Sequence, residues 1–267
     1  MTETPERYTH GHHASVLKSH TWRTVDNSAA YLAPHLTPGL SLLDIGCGPG
    51  TITVDFADRL APGLVTGIDA APAIIGQAAE FGVGRTNLSF ATGNAYALDF
   101  ADDSFDIVHA HQTLQHVARP VDVLREARRV VKPGGIVAIR DVDYAGTVWY
   151  PELPGLTTWM TTYQAVHRSN GGEPDAGRRL SSWARAAGFT DITATASVWC
   201  FASAADREWW GGMWAQRVLE SAFAGDAVGH GFATEEDLKQ ISDCWLEWAA
   251  DVDGVLFMPH GEIICRG

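Results

Sequence analysis

The chain has 267 residues, enough for one large α/β domain with an insertion, and 46% of them are hydrophobic, an ordinary globular mix. Asp and Glu number 32 against 19 Lys and Arg, a net charge of -13, and no basic run exceeds two adjacent residues. That balance excludes a grip on a nucleic-acid backbone or an anionic membrane surface, both of which need clustered bases.

No apolar stretch reaches spanning length, and residues 1–13 are polar where a signal peptide would be apolar. Cys47, Cys200, Cys244 and Cys265 are scattered, without a CxxC pair or zinc spacing. The reading is a chain of reduced thiols in the cytoplasm, with neither membrane nor nucleic acid as partner.

In chain order, residues 28–36 read as a helix ended by Thr37-Pro38-Gly39. Leu40-Ser41-Leu42-Leu43-Asp44-Ile45 is an apolar run ending in glycines, the pattern of a buried parallel strand. Residues 51–60 read as a helix, 64–68 as a strand, 72–81 as a helix opened by Pro72, and 88–91 and 105–109 as strands. Residues 121–131 read as a helix closed by Lys132-Pro133-Gly134-Gly135, and 136–140 as a fifth strand. Beyond residue 145 the pattern predicts helices over 151–167 and 178–187, and strands over 192–201 and 255–265. Two helices fall between those strands, the second capped at Thr234-Glu235-Glu236-Asp237.

Strands alternating with helices predict a doubly wound, mostly parallel, seven-stranded Rossmann-like sheet, with a helical cap inserted late in the chain. The layout has an N-terminal helical lid at 1–37. A core follows over 38–145, 188–203 and 253–267, with a cap over 146–187 and 204–252. In such sheets ligands lie beyond the carboxyl ends of the strands, so the motifs should gather on one edge.

The strongest local signal is Leu43-Asp44-Ile45-Gly46-Cys47-Gly48-Pro49-Gly50. Its glycine spacing is G-x-G-x-G rather than the G-x-G-x-x-G of nicotinamide enzymes. Asp44 beside the loop would repel a pyrophosphate and suit a cationic ligand. Asp69 follows Gly50 by 19 residues at the tip of the second strand, where a carboxylate can accept both ribose hydroxyls of an adenosine. Gly93-Asn94-Ala95 follows the third strand, and an amide there could meet an adenine edge.

These sites, in this order, resemble class I S-adenosylmethionine (SAM)-dependent methyltransferases over roughly residues 40–141. The glycine loop resembles that family's first motif, Asp69 its ribose-binding acid, and Gly93-Asn94-Ala95 its usual Gly-Asp-Ala with Asn in place of Asp. Ser104-Phe105-Asp106-Ile107-Val108, Leu114-Gln115-His116-Val117 and Arg128-Arg129-Val130-Val131-Lys132-Pro133-Gly134-Gly135 are similar to the ubiquinone/menaquinone C-methyltransferase-like branch. The resemblance implies SAM as cofactor, held by Asp44, Gly46, Cys47, Gly48, Gly50, Asp69, Ala70, Gly93, Asn94 and Ala95. His109 and Ala110 would present backbone to the methionine moiety. It also implies an N-terminal segment folded over the cofactor, with Tyr8, His13 and Arg23 closing the site.

Methyl transfer asks a protein to align acceptor and methyl, exclude water and, where needed, remove a proton. His109, His111 and His116 cluster near the fourth strand, and Asp141 follows the fifth. His116, His111 and Asp141 are the candidate catalytic residues, each also readable as packing or positioning. His10, His12 and His13 crowd together without an accompanying acid or cysteine, so no metal is expected. Nine of the ten tryptophans lie at or beyond Trp149, and Trp210 and Trp214 share a helix face. They read as cap core, as the wall of a pocket for a flat or greasy acceptor, or as both.

The expected reaction is methyl transfer to a small-molecule acceptor, aromatic, polyketide-like or isoprenoid, by a monomer or homodimer. The alternatives are a SAM-binding enzyme of another reaction type and a nicotinamide-dependent oxidoreductase.

Overall fold

The structure is a computed structural model, and it describes residues 22–267. Tyr8 and the histidines of residues 10–13 lie outside them. The sheet contains β1 (Leu42–Ile45), β2 (Val65–Asp69), β3 (Leu88–Thr92), β4 (Phe105–His111), β5 (Val131–Val142), β6 (Val148–Tyr150), β7 (Ile192–Phe201) and β8 (Val255–Arg266). Its order is β3-β2-β1-β4-β5-β8, with β6 and β7 also pairing with β8. β1 to β5 run parallel, and β8 is antiparallel to its neighbours. The predicted doubly wound sheet is present, with one strand more than the pattern showed. β6 is three residues long, too short to carry an alternation that a sequence reading can detect.

Helices α1 (Val25–Ser28), α2 (Thr51–Leu60), α3 (Pro72–Phe81), α4 (Pro120–Val130), α5 (Pro154–Ser169), α6 (Leu180–Ala186), α7 (Ala204–Glu220), α8 (Ala222–Gly229) and α9 (Glu235–Ala250) surround it. Alternation along the strands divides the sheet into two faces. Leu42, Ile107 and Ile136 share a register row and pack with Phe56, Ala57 and Leu60 of α2 and with Val25 of α1. Leu43, Val108 and Val137 point the other way, onto Val123, Leu124 and Ala127 of α4 and Leu180 and Ala184 of α6. α6 thus packs on the sheet and not with the aromatic cap, where its place in the sequence had put it.

Three local expectations change. Residues 28–36 are not one helix. Thr24 caps α1 with a reciprocal bond to Asn27, and Pro34, which lacks an N–H, sits in a separate 3-10 turn over Ala33–His35. Lys132-Pro133-Gly134-Gly135 ends α4 but forms no free turn. It runs along β4 as an irregularity, where pairing jumps from Phe105↔Val131 to Ile107↔Ile136. The expected two helices between β7 and β8 are three, because Ser221, in extended conformation, closes α7 and opens α8.

The cap has its own core. Trp159, Trp214, Trp245 and Trp248 are fully buried there with Tyr163 and Phe223. Trp159 meets Trp214 at 4.8 Å and Trp245 at 4.9 Å between ring centroids, both edge-on, the favoured aromatic geometry. Trp159→Ala should therefore cost about 3–5 kcal/mol, the usual range for emptying a buried aromatic site. Urea unfolding followed by circular dichroism reads it, and a loss below about 1 kcal/mol, no more than an average substitution costs, would remove Trp159 from the centre of this core.

Candidate active site

Sheet order reverses between β1 and β4, so the connections leaving their carboxyl ends run to opposite faces of the sheet and open a crevice. The loop from β1 to α2 floors it. Gly46, Gly48 and Gly50 all have positive φ, at 70°, 54° and 83°. A Cβ on Gly46 would stand 2.4 Å from Thr113 Oγ1, and one on Gly50 2.7 Å from the Phe90 ring. The turn is pressed between its neighbours and requires glycine on both counts. Gly46 and Cys47 both donate backbone N–H to the Ile68 carbonyl, which ties the loop to β2.

Asp44 ends in a buried carboxylate with two fixed partners. Its Oδ1 lies 2.8 Å from His109 Nδ1, and its Oδ2 accepts from Thr53 Oγ1 at 2.6 Å. The His109 ring is thus used to hold Asp44, and neither His109 nor Ala110 reaches the cavity wall. Asp69 accepts from the Gly48 N–H at 3.1 Å and the Ala71 N–H at 3.0 Å, which turns its carboxylate toward the loop. Both acids line one cavity of about 360 Å³, with Gly46, Cys47, Gly48, Ala70, Gly93 and Ala95. Gly50 lies behind the wall. Asn94 is exposed, spends its carbonyl oxygen on the Tyr96 N–H, and does not line the cavity. Burial, with Asp44 and Asp69 close by, pushes the Cys47 thiol far up, so it stays protonated and is no nucleophile.

The same cavity continues to a wall of Tyr144, Trp199, Trp210, Trp214 and Met258, with His111 and His116. Burial drives the His111 pKa well down, aided by Arg23 and Arg140, so the ring is neutral near pH 7. Neither of its nitrogens has a hydrogen-bond partner among the described residues. His116 is also held neutral, first by burial and then by His167 and Arg23. It belongs to a 3-10 turn over Leu114–His116, not to the head of α4. Its Nε2 lies 3.0 Å from Gln115 Nε2, and its ring stacks on His167 at 4.9 Å.

Asp141 does not reach the wall. It points to the α4 face of the sheet and accepts the Gln115 N–H at 3.2 Å, so it holds the turn that carries His116. Burial pushes its carboxyl up to about 8, against hydrogen bonds from Gln115 and Leu114.

Gln112 escaped the sequence reading. It has φ of 50°, rare for a residue with a side chain, immediately after β4. Its Oε1 accepts from Arg23 Nη2 at 2.6 Å, and its Nε2 lies 2.8 Å from His260 Nε2. Trp199 stands beside this bridge. Its indole N–H donates to the Asn27 carbonyl at 2.6 Å, and the Arg23 and Arg140 guanidiniums lie 5.6 and 5.0 Å from its ring centroid. Arg140 is itself buried, bonded through Nε to Glu262 and Ser197, and burial lowers its pKa to about 10.

The chain that forms this crevice matches a known family. Residues 36–189 fit the family model described as methyltransferase domain. The chain belongs to that family, and it is a SAM-dependent methyltransferase on a Rossmann-like fold, so the nicotinamide alternative falls away. An uncharacterized methyltransferase of Schizosaccharomyces pombe is 34% identical over 270 residues, covering 97% of this chain and 96% of the relative. The ubiquinone/menaquinone biosynthesis C-methyltransferase UbiE of Paracoccus denitrificans is 39% identical over 117 residues, 43% of this chain and 45% of that one. The phosphoethanolamine N-methyltransferase 2 of Haemonchus contortus, solved in complex with SAM, superposes at a TM-score of 0.53. That match has 18% identity and covers 89% of this chain and 51% of that one. Among the described residues no helix is long and apolar enough to cross a membrane.

The wall fits the cofactor. Two carboxylates beside a glycine loop suit a ligand with a sulfonium, an ammonium and a ribose diol, whereas a pyrophosphate would meet two anions there.

Two outcomes follow. Asp69→Ala should weaken S-adenosylhomocysteine (SAH) binding about tenfold or more, the cost of a lost charge-assisted hydrogen bond, by calorimetric titration. Unchanged affinity would remove Asp69 from the cofactor site. Asp141 titrates near 8 when folded and near about 3.9 when unfolded. The folded chain therefore holds the extra proton between those limits, and stability falls as pH rises through them. Urea midpoints of wild type and Asp141→Asn should converge below pH about 4 and separate progressively up to pH about 8, with wild type the loser. The buried histidines cancel in that difference, and a constant gap would contradict the raised pKa.

Proposed function

We propose that this protein transfers the SAM methyl group to a small aromatic, polyketide-like or isoprenoid acceptor. Residues 38–145, 188–203 and 253–267 serve as the cofactor-binding core. Residues 146–187 and 204–252, apart from α6 on the sheet, serve with the segment before residue 38 as the cover over the acceptor. The observation that carries this reading is the continuity of one cavity from the acid pair Asp44 and Asp69 to a wall of Tyr144, Trp199, Trp210 and Trp214.

SAM supplies a methyl carbon activated by its sulfonium, open to in-line displacement. The chain supplies the rest. Asp44, locked by His109 and Thr53, offers a fixed negative charge to a cationic ligand. Asp69 offers carboxylate oxygens to a ribose diol. The aromatic wall excludes water and holds a flat acceptor against the opening. His111 is a neutral imidazole with both nitrogens available among the described residues, fit to take a proton from an acidic hydroxyl, carbon or amine. His116, whose Nε2 is engaged by Gln115, is better placed to orient, and Asp141 keeps its turn in place. The charge of -13 supports a small-molecule acceptor over nucleic acid. Monomer or homodimer, and residence in the cytoplasm, complete the proposal.

Incubating the protein with SAM and a panel of hydroxyarenes, polyketide-like phenols and prenylated quinols, and following SAH release, tests it directly. An acceptor-dependent release that falls about 10²–10⁴-fold in His111→Gln, with SAH affinity retained, is the expected result for loss of a general base. A smaller fall is expected in His116→Gln. Full turnover in His111→Gln would take the base role away from His111.

A further inference from the structure

A chain of hydrogen bonds runs from the cavity wall into the protein, and its direction is fixed at the inner end. Tyr144 lines the cavity from the 3-10 turn that follows β5. Its hydroxyl bonds to that of Tyr163, whose ring centroid is 4.2 Å from its own. Tyr163 lies on α5 one turn before His167, and both are fully buried. The Tyr163 hydroxyl lies 3.1 Å from His167 Nδ1, and His167 Nε2 lies 2.8 Å from the Gln115 carbonyl oxygen. Gly172 presses on this ring, since a Cβ there would stand 2.5 Å from the His167 Cδ2.

Each proton in the chain has one place to go. A carbonyl oxygen can only accept, so His167 carries its hydrogen on Nε2. Burial lowers the His167 pKa to about 4, so near pH 7 the ring is neutral and Nδ1 holds a lone pair. Tyr163 therefore donates to Nδ1. A phenol has a single proton, so whatever else the Tyr163 oxygen accepts, it has none left for Tyr144. Tyr144 must then donate to Tyr163. Its proton is turned inward, and its oxygen keeps only lone pairs for the cavity.

We propose that Tyr144 is a specificity-determining residue, an oxygen that can only accept and that selects a substrate bearing an un-ionised hydroxyl or an N–H at that point. Tyr163 and His167 are positioning residues, acting through Tyr144 by deciding where its proton goes. An ether, ketone or ionised oxygen brought to the same place sets lone pairs against lone pairs in a poorly solvated space, which costs binding. Only the word substrate rests on the methyltransferase reading; the polarity of Tyr144 does not.

The test is calorimetric titration of the whole chain, with and without saturating SAH, using three naphthalenes substituted at the same carbon. Naphthol presents an O–H, naphthylamine an N–H, and methoxynaphthalene an oxygen without a hydrogen. At least one of the two donors should bind about tenfold or more tighter than the ether, and the tighter of the two tells hydroxyl from N–H. Tyr144→Phe should abolish that ratio. Tyr163→Phe leaves the Tyr144 hydroxyl in place but frees its proton for the cavity, so the ether should gain on the donors and the ratio should fall toward one. The ether's extra methyl is the same against all three proteins, so a change in ratio reads polarity and not size, whereas lost packing would weaken the probes alike. If Tyr144→Phe does not fold, Tyr163→Phe still reads the ratio. An ether bound as tightly as the donors in wild type, binding of neither donor, or a ratio unchanged in Tyr144→Phe would overturn the selection. A ratio lost in Tyr144→Phe but kept in Tyr163→Phe would overturn the part given to Tyr163 and His167. Failure of wild type to bind SAH would instead overturn the methyltransferase reading, and the donor preference would still be read in the unloaded protein.

Discussion

A buried carboxylate at the end of β1 organises this molecule. Asp44 loses most of its water, and a charge so placed is tolerable only when hydrogen bonds replace that water. Thr53 from α2 and His109 from β4 provide them. One side chain therefore fixes the glycine loop, the first turn of α2 and the neighbouring strand relative to each other. The floor of the crevice is rigid because moving any of the three would strand a buried charge.

The opposite end of the cavity is built on another principle. It has no single organising charge. Rings from α5, α7, α9 and the end of β7, with Leu256 and Met258 of β8, interlock around Trp159 and Trp214, and the cavity wall is the inner surface of that cluster. Shape is set there by packing, which responds to volume and not to electrostatics. The two ends are thus held by different forces, hydrogen-bonded charge at the polar floor and ring packing at the aromatic wall.

Much of the polar floor was legible in the sequence because its signals are local. The G-x-G-x-G spacing, Asp44 beside it and Asp69 at the next strand tip each lie within a few residues of the turn they shape. Asn94 shows the limit of that legibility. Its place in the order is right, yet its amide bonds to its own turn. Asp141 was recognised as a strand-end acid near the site. Only its register, one residue past Arg140, tells that it points to the other face of the sheet. Gln112 gave no signal, since its role depends on His260, 148 positions away, and on Arg23, 89 positions away in the other direction. The third helix of the cap was missed because Ser221 breaks α7 by its backbone conformation, with neither Pro nor Gly to mark the place.

The antiparallel pairing of β7 with β8 has a further consequence. Phe201 and Leu256 are register partners, so the chain leaves the sheet into α7 and returns from α9 at adjacent points. Everything between is a detour with a closed base. Residues can be added to or removed from that detour without shifting the register of either strand, and hence without disturbing Asp44 or Asp69. Under the division of roles proposed above, descendants of such a chain are free to exchange the acceptor while keeping the methyl donor, because the length of the detour and the geometry of the glycine loop are separate structural variables.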